Sequence, residues 1–199
     1  MKKLLICVCL VLLVLTVSCD KSDSPSSSST PTSTPTSNSS IPVDRPILID
    51  GSLVSGFGMG VDDAQQYRNW VSSTANSLRI EYLGGLGWGA VFITVGDPVP
   101  PPRPYQDFSQ YTRLAIEMKG ASGGECVQIG MKDADDPDDG SERKLDVWLA
   151  AGWITYEFNL ASNFDCQFNR VYVVTEFVFP CPGQDTDQTI EVRNIGFRK

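Results

Sequence analysis

The sequence contains no histidine. That absence removes Ser-His-Asp and Cys-His nucleophile pairs and every histidine-held metal, and it does not exclude carboxylate chemistry. Positive charge is also short. Sixteen Lys and Arg stand against twenty-four Asp and Glu, a net charge of -8 at pH 7. An acidic chain of this kind is a poor partner for nucleic acid or for an anionic lipid surface. No apolar run is long enough to cross a bilayer as a helix. Past Asp44 the 3.6-residue apolar period of helices is almost missing.

What is present begins with a leader. Lys2 and Lys3 precede the apolar run "LLICVCLVLLVLTV", the pattern of a secretory signal. The stretch "LTVSC" that follows resembles a bacterial lipoprotein signal, in which the closing cysteine is cleaved to and acylated. The large aliphatic Leu15 lies four residues before Cys19, where the usual pattern has three. The resemblance implies removal of residues 1–19 and lipidation of Cys19, and hence export and anchoring to a bacterial membrane, at the cell surface or in the periplasm. Ordinary secretion with cleavage nearby is the alternative. Residues 20–43, "DKSDSPSSSSTPTSTPTSNSSIPV", are dominated by Ser, Thr and Pro. Such a tract buries too little surface to offset its ordering entropy, so it is expected to be a disordered linker. Its reach would be on the order of 25 Å.

Residues 44–199 have the length of one domain with a substantial core. Strand patterns fill it. "SLRIEYL" alternates, "WGAVFITVG" is apolar on both faces, and "YTRLAIEMKG", "CVQIGMKD", "RKLDVWLA", "WITYEFNL", "RVYVVTEFVF" and "TIEVRNIGF" follow at even spacing. Short strands separated by turn residues imply an all-β sandwich or barrel. Only "DDAQQYRNWVSS" hints at a helical turn. Of the cysteines left after the leader, Cys166 and Cys181 flank one expected strand and are the candidate disulfide, worth about 3 kcal/mol for a loop of that length. Three buried thiols, with Cys126, are the alternative.

The segment "KDADDPDDGSERK" carries six carboxylates between Asp133 and Glu142. Pro137 presets φ, the aspartates accept local backbone hydrogen bonds and Gly140 tolerates φ > 0, so the simplest expectation is a solvated hairpin loop. An EF-hand is excluded, because Pro137 falls on a ligand position in either register. A different oxygen cage for a structural calcium, drawn from Asp133, Asp135, Asp136, Asp138 and Glu142, stays open.

With the strands in place, "WGAVFI", "DFSQYTRLAIEMKG", "VQIGMKD", "WITYEFNLASNF" and "TIEVRNIGF" together resemble the galactose-binding-like jelly rolls. These include carbohydrate-binding modules of the family 11 and family 4 kinds and the related CIA30-type domains. The resemblance covers residues 47–197. It implies a two-sheet jelly-roll β-sandwich with a concave, glycan-binding face. It also implies a structural calcium held by acids near the first strand and an aspartate in the last. Asp50 suits the former; Arg193 stands where the latter is usual.

A sugar site needs a flat aromatic face and polar groups for hydroxyls. Strand phase places Trp148 on a polar outward face with Lys144 and Asp146, and Lys132, Glu176 and Arg193 would be neighbours if their strands share that sheet, with Tyr172 in phase with Glu176. Trp88 and Trp153 begin strands and are expected in the core. Tyr67 and Trp70 are expected as loop aromatics at a binding rim. The reading these residues give is a non-catalytic, membrane-tethered polysaccharide- or oligosaccharide-binding domain. A protein-interaction module of the same fold is the alternative, and a small two-carboxylate glycoside hydrolase comes third.

Overall fold

The computed structural model describes residues 41–199, so the leader, Cys19 and most of the linker lie outside the described residues. The last three residues assigned to the linker belong to the domain. Ile41 is buried, and the carbonyl of Pro42 accepts a hydrogen bond of 2.7 Å from Arg198 Nε.

Twelve strands form two antiparallel sheets packed face to face. In chain order they are β1 Arg45–Ile49, β2 Ser52–Leu53, β3 Phe57–Asp63, β4 Val71–Ser73, β5 Leu78–Tyr82, β6 Gly89–Val95, β7 Arg113–Gly120, β8 Cys126–Asp133, β9 Leu145–Trp148, β10 Ile154–Asn159, β11 Val171–Phe179 and β12 Gln188–Arg198. One sheet has the order β10-β7-β12-β1-β2, with β5 and then β4 added beside the first half of β12. The other has the order β3-β6-β11-β8-β9. The expected β-sandwich is thus the observed fold. The one α-helix among the described residues is the single turn Leu160–Asn163, capped by Asn159. "DDAQQYRNWVSS" holds no helix; the Asp63 carboxylate instead gathers the backbone N–H groups of Gln65, Tyr67 and Arg68.

Alternation builds the core, as period-two side chains must when one face of each sheet is buried. Leu114, Ile116 and Met118 of β7 meet Val127 and Ile129 of β8, Val91 and Ile93 of β6, and Phe177 and Phe179 of β11. Trp70 joins this core at 2% exposure, its Nε1 donating to Asp63 and its ring edge-on to Tyr82. It is therefore no rim aromatic, which corrects that expectation: the carboxylate that gathers its loop also satisfies its indole N–H.

The disulfide differs from the expected one. Cys126 is joined to Cys181 and Cys166 is free. The bond ties the start of β8 to the chain just beyond its neighbour β11. Cys166 instead sits partly buried between the helical turn and β11, where burial, with Asp133, Asp165 and Asp136 adding to it, pushes its thiol up to about 12.

Candidate functional site

The outward face of the five-stranded sheet carries a cleft of about 1090 Å³. Its floor comes from alternate residues of three adjacent strands: Ala90 and Phe92 of β6, Tyr172, Glu176 and Val178 of β11, and Lys132 of β8. Two one-residue register shifts in β11, between Val171 and Val173 and between Val173 and Glu176, add to two, so Tyr172 and Glu176 stay on one face. Glycines make the room: a side chain at Gly130 would overlap the Glu176 carboxylate, and one at Gly60 would overlap the Phe92 ring.

Two loops wall the cleft. The proline-rich segment 98–101 is held down by Tyr172, whose hydroxyl accepts from Val99 N at 2.8 Å and donates to Val99 O at 3.1 Å. The Arg103 guanidinium lies 5.1 Å from the Tyr172 ring centroid and donates to Asp136 O and to the Asp138 carboxylate. It thereby links the proline wall to the other wall, the acidic loop. That loop is the β8–β9 hairpin connection, and its backbone has the expected turn chemistry: Asp133, Asp136 and Asp139 each accept from the N–H two residues on, and Gly140 has φ 77°. It is not simply solvated, however. Lys132 Nζ lies 3.2 Å from Glu142, 3.7 Å from Asp136 and 3.7 Å from Asp138, and Arg170 pairs with Asp135 at 2.5 Å. The loop folds over the sheet because its carboxylates are drawn to these cations. Three of its acids thus share the Lys132 ammonium and a fourth pairs with Arg170, and no group of three metal-ligating side chains converges among the described residues.

Charge at the floor is unevenly shared. Burial raises the Glu176 carboxyl to about 8, opposed by Lys132 and reinforced by Glu142. Glu142 is buried too, but the Lys144 ammonium at 2.5 Å holds its pKa below the ordinary value. Lys132 resists its own burial because Glu176, Glu142 and Asp136 surround it. Glu176 is 4% exposed, and its Oε1 is buried without a hydrogen-bond partner among the described residues. At the far side Asp62 and Arg68 pair at 3.1 Å, and Trp88 presents its indole at 46% exposure.

Of the expected site residues, Lys132, Lys144, Glu176 and Tyr172 converge on this cleft. Trp148 and Asp146 share its face but lie on the edge strand β9, outside the cleft itself; Trp148 is 56% exposed and Asp146 accepts from Gln128 at 2.7 Å. Arg193 does not belong. It occupies a bulge of β12 on the opposite sheet, bonded to Glu117 at 2.5 Å and lying over Trp153 at 4.5 Å. The same Glu117 accepts from Asn194, which accepts in turn from the backbone of Asp50. The Arg193 guanidinium thus lies within reach of both Glu117 and Asp50, whose charges favour it. Trp153 is the half-buried platform beneath that guanidinium rather than core. Trp88 lines the cleft instead of packing in the expected core position; "WGAVFITVG" is apolar throughout, so its sequence does not show whether Trp88, Ala90 and Phe92 or Gly89, Val91 and Ile93 face outward.

This is the fold of carbohydrate-binding modules. A family 11 module from Clostridium thermocellum, solved in complex with a β-1,3-1,4-mixed-linked tetrasaccharide, matches 77% of this chain and 94% of its own length at 15% identity, TM-score 0.53. The family 30 module of a cellulosomal cellulase from the same organism matches 75% of this chain and 94% of its own at 17% identity, TM-score 0.51. No family model matches the chain, and no curated protein matches it.

Proposed function

We propose that this protein is a non-catalytic carbohydrate-binding module, exported and held at a membrane by lipid on Cys19, with its ligand site in the cleft over β6, β11 and β8. The observation that carries the site is the pairing, in one cleft, of an exposed indole with a buried carboxyl oxygen that has no partner. An indole offers the flat apolar face that sugar C–H groups need, and an unpaired buried acceptor is costly until a ligand hydroxyl meets it. The likeness of fold to carbohydrate-binding modules supports the same reading. A disulfide within the domain supports export, since such bonds persist in oxidising compartments.

A hydrolase is disfavoured by the same geometry. Glycosidases hold two carboxyls about 5–9.5 Å apart across the scissile bond. Here Glu142 and Glu176 are near enough to perturb each other directly, and both face Lys132. The test is affinity electrophoresis of the full chain against neutral and acidic polysaccharides. At least one should retard it, and Trp88→Ala should weaken that binding about thirtyfold or more, the loss usual for a central aromatic anchor. Migration unaffected by every polysaccharide would return the protein-interaction reading of this fold.

A further inference from the structure

The cleft is only part of a longer track. Pairing across the sheet runs Asp146–Gln128–Val178–Ala90–Asp62, one residue from each of the five strands, all on the cleft's face. Its middle is uncharged and low: an amide, a valine and an alanine. Its two ends carry carboxylates that already have partners, Asp146 with Gln128 and Asp62 with Arg68. An exposed tryptophan flanks each end region. Trp88 immediately precedes Gly89 of β6, and Trp148 lies two residues beyond Asp146 on β9. From β6 to β9 there are three strand spacings of about 4.8 Å, so the two indoles stand about 14 Å apart across the strands. Indoles left exposed on a sheet face that the core does not need are the ordinary mark of a contact surface.

Charge along the track selects further. Each cation lining the cleft is already paired: Arg68 with Asp62, Arg103 with Asp138, Lys132 with three acids and Lys144 with Glu142. Three buried atoms of cleft-lining residues have no hydrogen-bond partner among the described residues: Glu176 Oε1, Glu142 Oε2 and Arg103 Nε, the last on a guanidinium whose other nitrogens are bonded to Asp136 and Asp138. An anionic chain would find no free cation here and would run between Asp146, Glu142 and Asp62.

We infer that the ligand is a neutral glycan chain longer than a disaccharide, laid across the strands from Trp88 to Trp148, with Trp148 a second stacking platform outside the cleft. The inference rests on the carbohydrate reading of the cleft and adds to it the length, direction and charge of the ligand.

The full chain is first run against neutral polysaccharides and against polygalacturonate. Oligosaccharides of the retained polysaccharide, from disaccharide to hexasaccharide, are then titrated by calorimetry. Affinity should climb about tenfold or more from disaccharide to hexasaccharide. Trp148→Ala should abolish that climb while leaving disaccharide affinity as in wild type, and Trp148→Phe should restore most of it. Trp88→Ala should weaken every length. Wild-type hexasaccharide affinity in Trp148→Ala, or a disaccharide bound as tightly as a hexasaccharide, overturns the track and leaves the cleft standing. Retention by polygalacturonate alone overturns the neutral ligand. Retention by no polysaccharide overturns the track together with the cleft reading beneath it.

Discussion

Glu176 is the residue on which the cleft's chemistry turns. It sits on a central strand, and its environment favours the protonated form because burial, reinforced by Glu142, outweighs the attraction of Lys132 and Lys144. Removing a carboxylate from water is expensive, and proteins meet the cost by shifting the pKa. The consequence for stability has a definite sign. A carboxyl whose folded pKa lies at about 8, against an ordinary 4.5, binds its proton more tightly when folded. Its stabilising contribution is complete below pH 4.5 and is lost as pH rises toward 8. Glu142 runs the other way, contributing above its ordinary pKa and losing that contribution in acid. Melting temperature should therefore decline between pH 5 and pH 8, and Glu176→Gln, which cannot ionise, should flatten that decline. Parallel wild-type and mutant profiles over this range would show that Glu176 titrates as an ordinary carboxylate. Arg193 gives the residue-scale contrast. Strand phase alone put it with Trp148, but the bulge at Val192–Asn194 and the strand order put it on the opposite sheet. Neither a bulge nor strand order can be read from periodicity.

At the scale of elements, most strands were legible because Leu, Ile and Val alternate with polar residues. β3 was not. "FGMGVDD" has glycine at alternate places, so Asp62 is the only side chain on its outward face and no alternation registers. Those glycines exist for the neighbour: Gly60 leaves space for the Phe92 ring. The acidic loop was half legible. Its turn chemistry is local and readable, as is its closeness to Lys132, whereas its capture by Arg103 and Arg170 depends on segments 35 residues from their aspartates in sequence. The disulfide was misassigned for a related reason. Cys166 and Cys181 are close in sequence, but β11 separates them, and straight strands carry their ends apart. Cys126 meets Cys181 because β8 and β11 are antiparallel neighbours. The bond closes a loop spanning 55 residues of separation. The chain-entropy model assigns such a loop about 4 kcal/mol. Cys126→Ala with Cys181→Ala should accordingly lower the melting temperature by many degrees, while Cys166→Ala shifts it little. Peptide mapping without reductant checks the pairing directly, and recovery of a 166–181 peptide pair contradicts it.

For the whole molecule, the question is what keeps the domain where its ligand is. Net charge of -8 opposes adsorption to a membrane whose own surface is negative. Among the described residues no helix is long and apolar enough to cross a bilayer. The proposed anchor would act instead through acyl chains on Cys19. A single fatty chain binds membranes only marginally, so stable retention requires more than one on that residue. The Ser/Thr/Pro-rich composition that follows suits a tether with a reach of about 25 Å, several times the Debye length of about 8 Å at physiological salt. At that range the repulsion between an acidic domain and an anionic surface is screened. Cys19→Ala should consequently release the whole protein to the soluble fraction, with glycan affinity unchanged because the cleft lies wholly within residues 62–178. Partitioning with membranes as wild type does, despite the lost cysteine and the acidic surface, would require some other attachment and would overturn the lipid anchor.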